Sequence, residues 1–123
     1  MVAKFLTDEE VEQRIREFLQ KHDYQFIEKF LVQKRLKPVD FAIEKKNARI
    51  AIMLFLWRRS LPYDKIYYLE EYLQKYGFSK IILVTRQISP RAKEIIRKEN
   101  LAIELVFESD FRMMKESPLL GKL

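Results

Sequence analysis

Apolar residues near the start of the chain recur at the spacing of an amphipathic helix. They are Val11, Ile15, Phe18 and Leu19. Thr7 precedes this stretch, and Glu10 stands three residues after Thr7, which is the capping-box pattern of a helix N-terminus. The pattern therefore predicts a first helix that runs from Thr7 to residue 22 or 23.

Three stretches that favour strands follow this helix. Residues 24–32 favour the first strand, and the sequence KRLKP supplies the turn after it. In residues 39–44, apolar side chains alternate with Asp40, Ala42 and Glu44, which predicts a half-buried strand with Asp40 on its polar face. Residues 50–57 carry no charge and are apolar on both faces, so they predict a central strand covered on both sides.

The second half of the chain alternates between helical and strand patterns. A helix is predicted from near Pro62 to Gly77, followed by a buried strand at residues 80–85. Ser89 and Pro90 predict the start of another helix, and the sequence LAIELVF predicts the last strand.

The order α-β-β-β-α-β-α-β predicts a single α/β domain with a mixed central sheet flanked by helices. This domain is expected to span residues 1–107. Residues 108–123 are expected to form a C-terminal tail with a short helix after Ser109.

The composition limits the classes of function. Cysteine is absent, which excludes disulfides, thiolate metal sites and cysteine nucleophiles. His22 is the only histidine, so a zinc site is not indicated, and no glycine-rich phosphate-binding motif is present. No apolar run approaches the length of a membrane span, and the N-terminus has no signal-peptide pattern. We therefore expect a cytoplasmic protein with no membrane partner.

The chain is basic. Lys and Arg number 24 against 18 Asp and Glu, which gives a formal net charge of +6. This balance favours an anionic partner, of which nucleic acid is the commonest. The alternative is a charged surface that serves stability, as in proteins of thermophiles.

Four pieces of the chain, spanning residues 7–107, carry a family resemblance in their order and apolar pattern. They read EEVEQRIREFLQKHDYQFIEKF, KPVDFAIEKKNARIAI, YDKIYYLEEYLQKYGFSKIILVT and SPRAKEIIRKENLAIELV. The chain resembles the restriction endonuclease-like superfamily, known for the PD-(D/E)xK motif, and within it the Mrr-like and Holliday-junction-resolvase-like branches. The resemblance implies a nuclease fold in which carboxylates hold Mg²⁺.

The resemblance also assigns the catalytic positions. Asp40 corresponds to the first acidic residue of the motif, whereas Met53 and Phe55 stand where the second acid and the lysine belong. A thioether and a phenyl ring cannot bind a hard cation. We therefore expect no catalytic residues and no metal, with Asp40 as a remnant. The alternative is a metal-dependent DNA endonuclease with a rearranged site that uses Asp40, Glu44, Lys46 and a helix glutamate (Glu9, Glu10 or Glu17), and this alternative requires Mg²⁺.

Two further groups are candidates for partner binding. Basic residues in predicted loops are expected to neutralise phosphates of nucleic acid, DNA more than RNA, or else to be solvated loop residues. They are Lys34, Arg35, Lys37, Arg58, Arg59 and Arg86. Tyr68 and Tyr72 widen the apolar face of the second helix, which indicates an interface with a second copy or a catalytic partner subunit, or else ordinary core packing.

Overall fold

The computed structural model describes residues 5–123, and within them the predicted order of elements is confirmed. The helices are α1 (Asp8–Lys21), α2 (Asp64–Lys75), α3 (Pro90–Lys98) and α4 (Glu108–Met113). The strands are β1 (Gln25–Phe30), β2 (Val39–Lys45), β3 (Ala48–Phe55), β4 (Lys80–Thr85) and β5 (Ile103–Phe107). The C-terminal residues contain the short helix α4, which begins at Glu108 and not after Ser109.

The strands form one mixed sheet in the order β1-β2-β3-β4-β5. The pairs β1–β2 and β2–β3 are antiparallel, whereas β3–β4 and β4–β5 are parallel. This topology brings five strand ends to one end of the sheet. They are the last residues of β1, β3, β4 and β5 and the first residues of β2. We call this end of the sheet the Asp40 end, and the β2–β3 hairpin turn lies at the opposite end.

Strand β3 has apolar side chains on both faces because each face meets a separate helical layer. Ile50, Ile52 and Leu54 pack in the core under α1 and α4. Ala51, Met53 and Phe55 pack in the core under α2 and α3. The prediction that this strand is central and covered on both sides is confirmed.

Local signals place the helix ends. Thr7 accepts a hydrogen bond from the Glu10 N–H, and the Glu10 carboxylate accepts one from the Thr7 N–H, so the capping box is formed. Ser89 accepts from the Ala92 N–H and is followed by proline, as predicted for α3. Gly77 follows α2 with a φ of +78°, a conformation that glycine adopts without strain.

The C-terminal residues pack against the domain. Phe111 and Leu119 are buried in the core under α1, and Glu108 is buried where it accepts hydrogen bonds from the Leu6 N–H and from Arg112. Residues 108–123 thus contribute Phe111 and Leu119 to the core that covers one face of the sheet. Among residues 5–123, no helix combines the length and the hydrophobicity needed to cross a membrane.

We predict that Leu119→Ala destabilises the protein by about 2–5 kcal/mol, because it opens a cavity in a core that includes the C-terminal residues. Leu120→Ala is the matched control, since Leu120 is 50% exposed and its truncation should change the free energy of unfolding by about 0.5 kcal/mol or less. Urea denaturation of both variants measures the difference. Equal stability of the two variants would mean that the C-terminal segment does not support the fold.

Candidate functional site

Asp40 is buried, and its carboxylate accepts three hydrogen bonds. Its side chain is 5% exposed. Oδ2 accepts from the Leu54 N–H at 2.7 Å and from Lys37 Nζ at 2.7 Å, and Oδ1 accepts from Lys29 Nζ at 2.9 Å. The expectation that Asp40 lies on a solvated polar face is therefore wrong. This residue is held inside the protein by two cations and a backbone amide.

The end of the β2–β3 ladder explains this orientation. The paired positions of these strands run from Lys45–Ala48 to Phe41–Ile52 and do not continue to Asp40. Beyond that point the Asp40 side chain, rather than a main-chain carbonyl, accepts the hydrogen bond of the Leu54 N–H. Regular alternation of side chains also ends there. Val39 and Phe41 are two residues apart and should share a face of the strand, but they pack in different cores.

Lys29 connects Asp40 to helix α1. Its backbone has a φ of 54°, which is uncommon for a residue with a side chain, and it interrupts the regular pairing of β1 with β2. The Lys29 ammonium group donates both to Asp40 and, at 2.7 Å, to Glu12. Burial lowers the pKa of Lys29, but its hydrogen bonds to Glu12 and Asp40 outweigh that effect, so the pKa is raised.

Glu12 is the helix glutamate that the structure brings to this site. The helix glutamates predicted for this role do not contact Asp40. They are Glu9, Glu10, which caps α1, and Glu17, which accepts a hydrogen bond from Gln13. Glu12 directly follows the buried Val11 and so borders the apolar stripe of α1. That position in the sequence could have indicated that Glu12 reaches the site, because side chains beside the buried stripe of a helix lie near the sheet.

Met53 and Phe55 are core residues. Met53 has no exposed surface, and Phe55 is also buried. The Phe55 ring makes an angle of 73° with the Trp57 ring, and Lys37 Nζ lies 5.3 Å from the Phe55 ring centroid. The alternate positions Ile52 and Leu54 are also apolar and buried on the opposite face. A shift of one residue along β3 therefore brings no carboxylate or lysine to Asp40.

These residues do not fit a divalent cation. Mg²⁺ requires oxygen ligands, but both Asp40 oxygens are bound by ammonium groups, which repel a second cation, and the adjoining β3 side chains offer no oxygen. Within residues 5–123, no three acidic or histidine side chains are grouped to hold a metal ion.

The residues of the rearranged site are not brought together with Asp40. Glu44 pairs with Arg49 at 2.8 Å and lies four residues further along β2, roughly 13 Å away at the rise of a strand. Lys46 is exposed in the turn between β2 and β3, at the end of the sheet opposite Asp40. The structure provides no common location for these three side chains.

The predicted basic residues all follow or precede strands at the Asp40 end, but their environments differ. Lys34, Arg35, Arg58 and Arg59 are exposed, and none of them is in an ion pair in the described part of the chain. Lys37 is instead engaged by Asp40.

Arg86 also differs from the exposed group, because it is directed toward the segment before α1. Its Nη2 donates to the Leu6 carbonyl at 3.1 Å, and its guanidinium lies 4.8 Å from the Phe5 ring centroid. Its Nε is buried and has no hydrogen-bond partner. Arg86 therefore contacts the N-terminal segment rather than extending the exposed basic surface.

Tyr72 and Tyr68 hold the loop that precedes Asp40. Tyr72 is fully buried, and its hydroxyl donates to the Lys37 carbonyl at 2.6 Å, while the Tyr68 hydroxyl accepts from the Lys37 N–H at 2.7 Å. Burial and the adjacent Tyr68 raise the pKa of Tyr72. An interface role for Tyr72 is wrong, because its side chain has no surface to offer a partner. The exposed tyrosines of this region are Tyr63 and Tyr67.

Comparison with protein families identifies a related family. The family model Mrr_cat, described as a restriction endonuclease, matches residues 3–114. A search of curated proteins finds no match.

Three solved structures resemble the chain at a low level of sequence identity. A protein of unknown function superposes with a TM-score of 0.61 at 18% identity, with 87% of this chain and 60% of the other covered. The restriction endonuclease MspJI in complex with a 27-mer oligonucleotide gives 0.54 at 14%, covering 80% and 24%. A repair endonuclease from Pyrococcus abyssi gives 0.53 at 20%, covering 86% and 50%. The chain therefore spans at most 60% of the length of these structures and shares their fold.

We predict that Asp40→Asn lowers the free energy of unfolding by about 1.5–3 kcal/mol, because Lys29, Lys37 and the Leu54 N–H lose a charged hydrogen-bond acceptor. Glu44→Gln on the same strand is the control. Its exposed pair with Arg49 should contribute about 1 kcal/mol or less. Thermal and urea unfolding measure both variants. A stabilised Asp40→Asn protein would show instead that the network is maintained at a cost in stability, as in catalytic sites.

Proposed function

Because this chain belongs to the Mrr_cat restriction endonuclease family, we propose that it is a nuclease-like domain that binds nucleic acid without cleaving it. The observation that carries the proposal is the state of Asp40. Its carboxylate is bound by Lys29, Lys37 and the Leu54 N–H, at the position where the family's motif has a metal ligand. Met53 and Phe55 support it further, since both fill the core.

The neighbouring structures support the nucleic-acid part of the proposal. MspJI is described in complex with an oligonucleotide, and the Pyrococcus abyssi protein is described as a repair endonuclease. We propose DNA as the preferred ligand over RNA, and a catalytic partner subunit as the source of any cleavage in which the protein takes part.

Electrostatics supports binding through the Asp40 end. The chain has a net charge of +6, and the exposed cations Lys34, Arg35, Arg58 and Arg59 lie in two loops at this end. When cations without carboxylate partners neutralise phosphates, the counterions condensed on the nucleic acid are released, which gives affinity that depends strongly on salt. Such contacts position a protein on nucleic acid without reading its sequence.

We predict that replacing these four cations by glutamine reduces DNA affinity, and that the slope of log affinity against log salt falls by roughly 0.7–0.9 for each lost phosphate contact. The control is Lys45→Gln with Lys46→Gln, because those lysines lie at the hairpin turn at the opposite end of the sheet. Fluorescence polarisation with labelled DNA at several salt concentrations measures both. Equal losses in the two variants would place binding elsewhere.

Cleavage assays separate this proposal from the rearranged endonuclease. Incubation with duplex and branched DNA in Mg²⁺ or Mn²⁺ should leave the substrate intact, and DNA binding should be unchanged by EDTA. Metal-dependent cleavage that is lost in Glu44→Gln would instead support the rearranged site. Glu44→Gln is the informative variant, because Glu44 is exposed and its replacement leaves the buried Asp40 network intact.

A further inference from the structure

We infer that the first turn of α2 carries a stacking surface for unpaired bases, so that the ligand is single-stranded nucleic acid. This inference rests on the proposed function and names its substrate class. The surface, which we call the aromatic–cation patch, consists of Trp57, Tyr63 and Tyr67 together with Arg59, Lys65 and Arg91.

The fold brings these residues together at the Asp40 end. Trp57 follows β3, and α2 begins seven residues later at Asp64. The loop between them is joined to the loop before α3, since the Leu61 N–H donates to the Gln87 carbonyl and the Ser89 N–H donates to the Leu61 carbonyl. These two bonds hold Arg91, in the first turn of α3, beside the start of α2.

Each cation of the patch lies over an aromatic ring. The Arg59 guanidinium is 5.1 Å from the Trp57 ring centroid, and Lys65 Nζ is 5.6 Å from the same centroid. The Arg91 guanidinium is 5.1 Å from the Tyr63 centroid. These contacts bring positive charge and aromatic rings together, and binding of a nucleotide uses both, the charge for its phosphate and the ring for its base.

The charge of the patch is not neutralised internally. Within residues 5–123, neither Arg59, Lys65 nor Arg91 forms an ion pair, in contrast to Arg16, which is paired with Glu28. Negative charge is also present, because Asp64 lies in the same turn of α2 and Glu70 and Glu99 lie near Tyr67. The cations beside the rings form no ion pair with the described residues and so remain available to contact phosphates.

The aromatic rings are accessible from both flanks of α2. Tyr63 and Tyr67 are 45% and 43% exposed, with their rings at 90° to each other, on the flank where Tyr67 bonds to Glu99 near the end of α3. Trp57 is half-buried on the other flank, where Lys65 also contacts Tyr68. An oligonucleotide long enough to cross the helix, which with its side chains is about 10–12 Å wide, can therefore meet rings on both flanks.

A cavity of about 210 Å³ adjoins Tyr67 and Arg91. Its two acidic residues are already engaged, because Glu94 pairs with Lys98 at 3.1 Å and Glu99 accepts from the Tyr67 hydroxyl at 3.2 Å. The cavity therefore adds room beside the exposed rings, with Glu94 in an ion pair and Glu99 held by the Tyr67 hydroxyl.

The patch favours an unpaired strand over a duplex. A duplex presents its phosphates outward and keeps its base faces stacked inside, so it would use the basic loops and leave the aromatic rings without a partner. Exposed aromatic faces beside cations suit bases that are free to stack, and this type of binding tolerates many sequences.

Trp57 is the only tryptophan of the chain, so its fluorescence reports directly on the patch. We predict that a deoxythymidine oligonucleotide quenches Trp57 emission in the intact protein and binds at least about tenfold more tightly than a blunt duplex of equal length. Tyr63→Ala with Tyr67→Ala should weaken oligonucleotide binding roughly 5- to 150-fold, the range for loss of base–aromatic stacking. Tyr63→Phe with Tyr67→Phe should retain binding, because phenyl rings still stack.

Phe5→Ala is the matched control. Phe5 is 48% exposed and lies beside two guanidinium groups, those of Arg86 and Arg112, but it stands before α1, away from α2. This variant should bind the oligonucleotide like the unmodified protein.

Two results would overturn the inference and leave the proposed function intact. One is duplex binding as tight as single-strand binding, with Trp57 emission unchanged. The other is a Tyr63/Tyr67 alanine variant that binds the oligonucleotide normally and differs only in self-association by sedimentation, which would make the patch a protein interface. Absence of binding to either nucleic acid at low salt would overturn the proposed function as well.

Discussion

The carboxylate of Asp40 is the interaction on which the architecture of the site depends. A charge that is removed from water must be compensated by hydrogen bonds and opposite charge, and Asp40 receives both from Lys29, Lys37 and the Leu54 N–H. These partners lie on β1, in the loop before β2 and on β3. Lys29 also donates a hydrogen bond to Glu12 on α1. A single buried group thus connects three strands, one loop and one helix.

The same interaction changes what this end of the sheet can do. In a metal-dependent nuclease, carboxylates keep free oxygens for a cation, and that arrangement is costly to fold because like charges repel. Here two ammonium groups occupy the Asp40 oxygens, and Met53 and Phe55 contribute to the core. The charge at this position is compensated within the protein, and the proposed binding of nucleic acid therefore rests on residues outside it.

The cations proposed to bind nucleic acid are distinguished by having no carboxylate partner among residues 5–123. By contrast, some cations form ion pairs that largely neutralise their charge within the protein. They are Arg16, Lys29 and Arg112. The exposed loop cations Lys34, Arg35, Arg58 and Arg59, and the cations over the rings at the start of α2, have no such partner among the residues described. Uncompensated charge near exposed aromatic rings is the physical basis of both proposals for nucleic-acid binding.

Local patterns in the sequence determined the elements and much of their burial. The capping box of Thr7 and Glu10 determined where α1 begins, and the uncharged run of residues 50–57 determined a strand buried on both faces. Only the tertiary structure decided the surroundings of Asp40, because the end of the β2–β3 ladder and the positive φ of Lys29 turned it from the polar face that alternation predicts. It also decided that Tyr72 is a core residue, since the Lys37 carbonyl that it binds lies 35 positions away. Alternation and capping depend on neighbours along the chain, whereas these contacts join distant segments that meet only when the sheet has assembled.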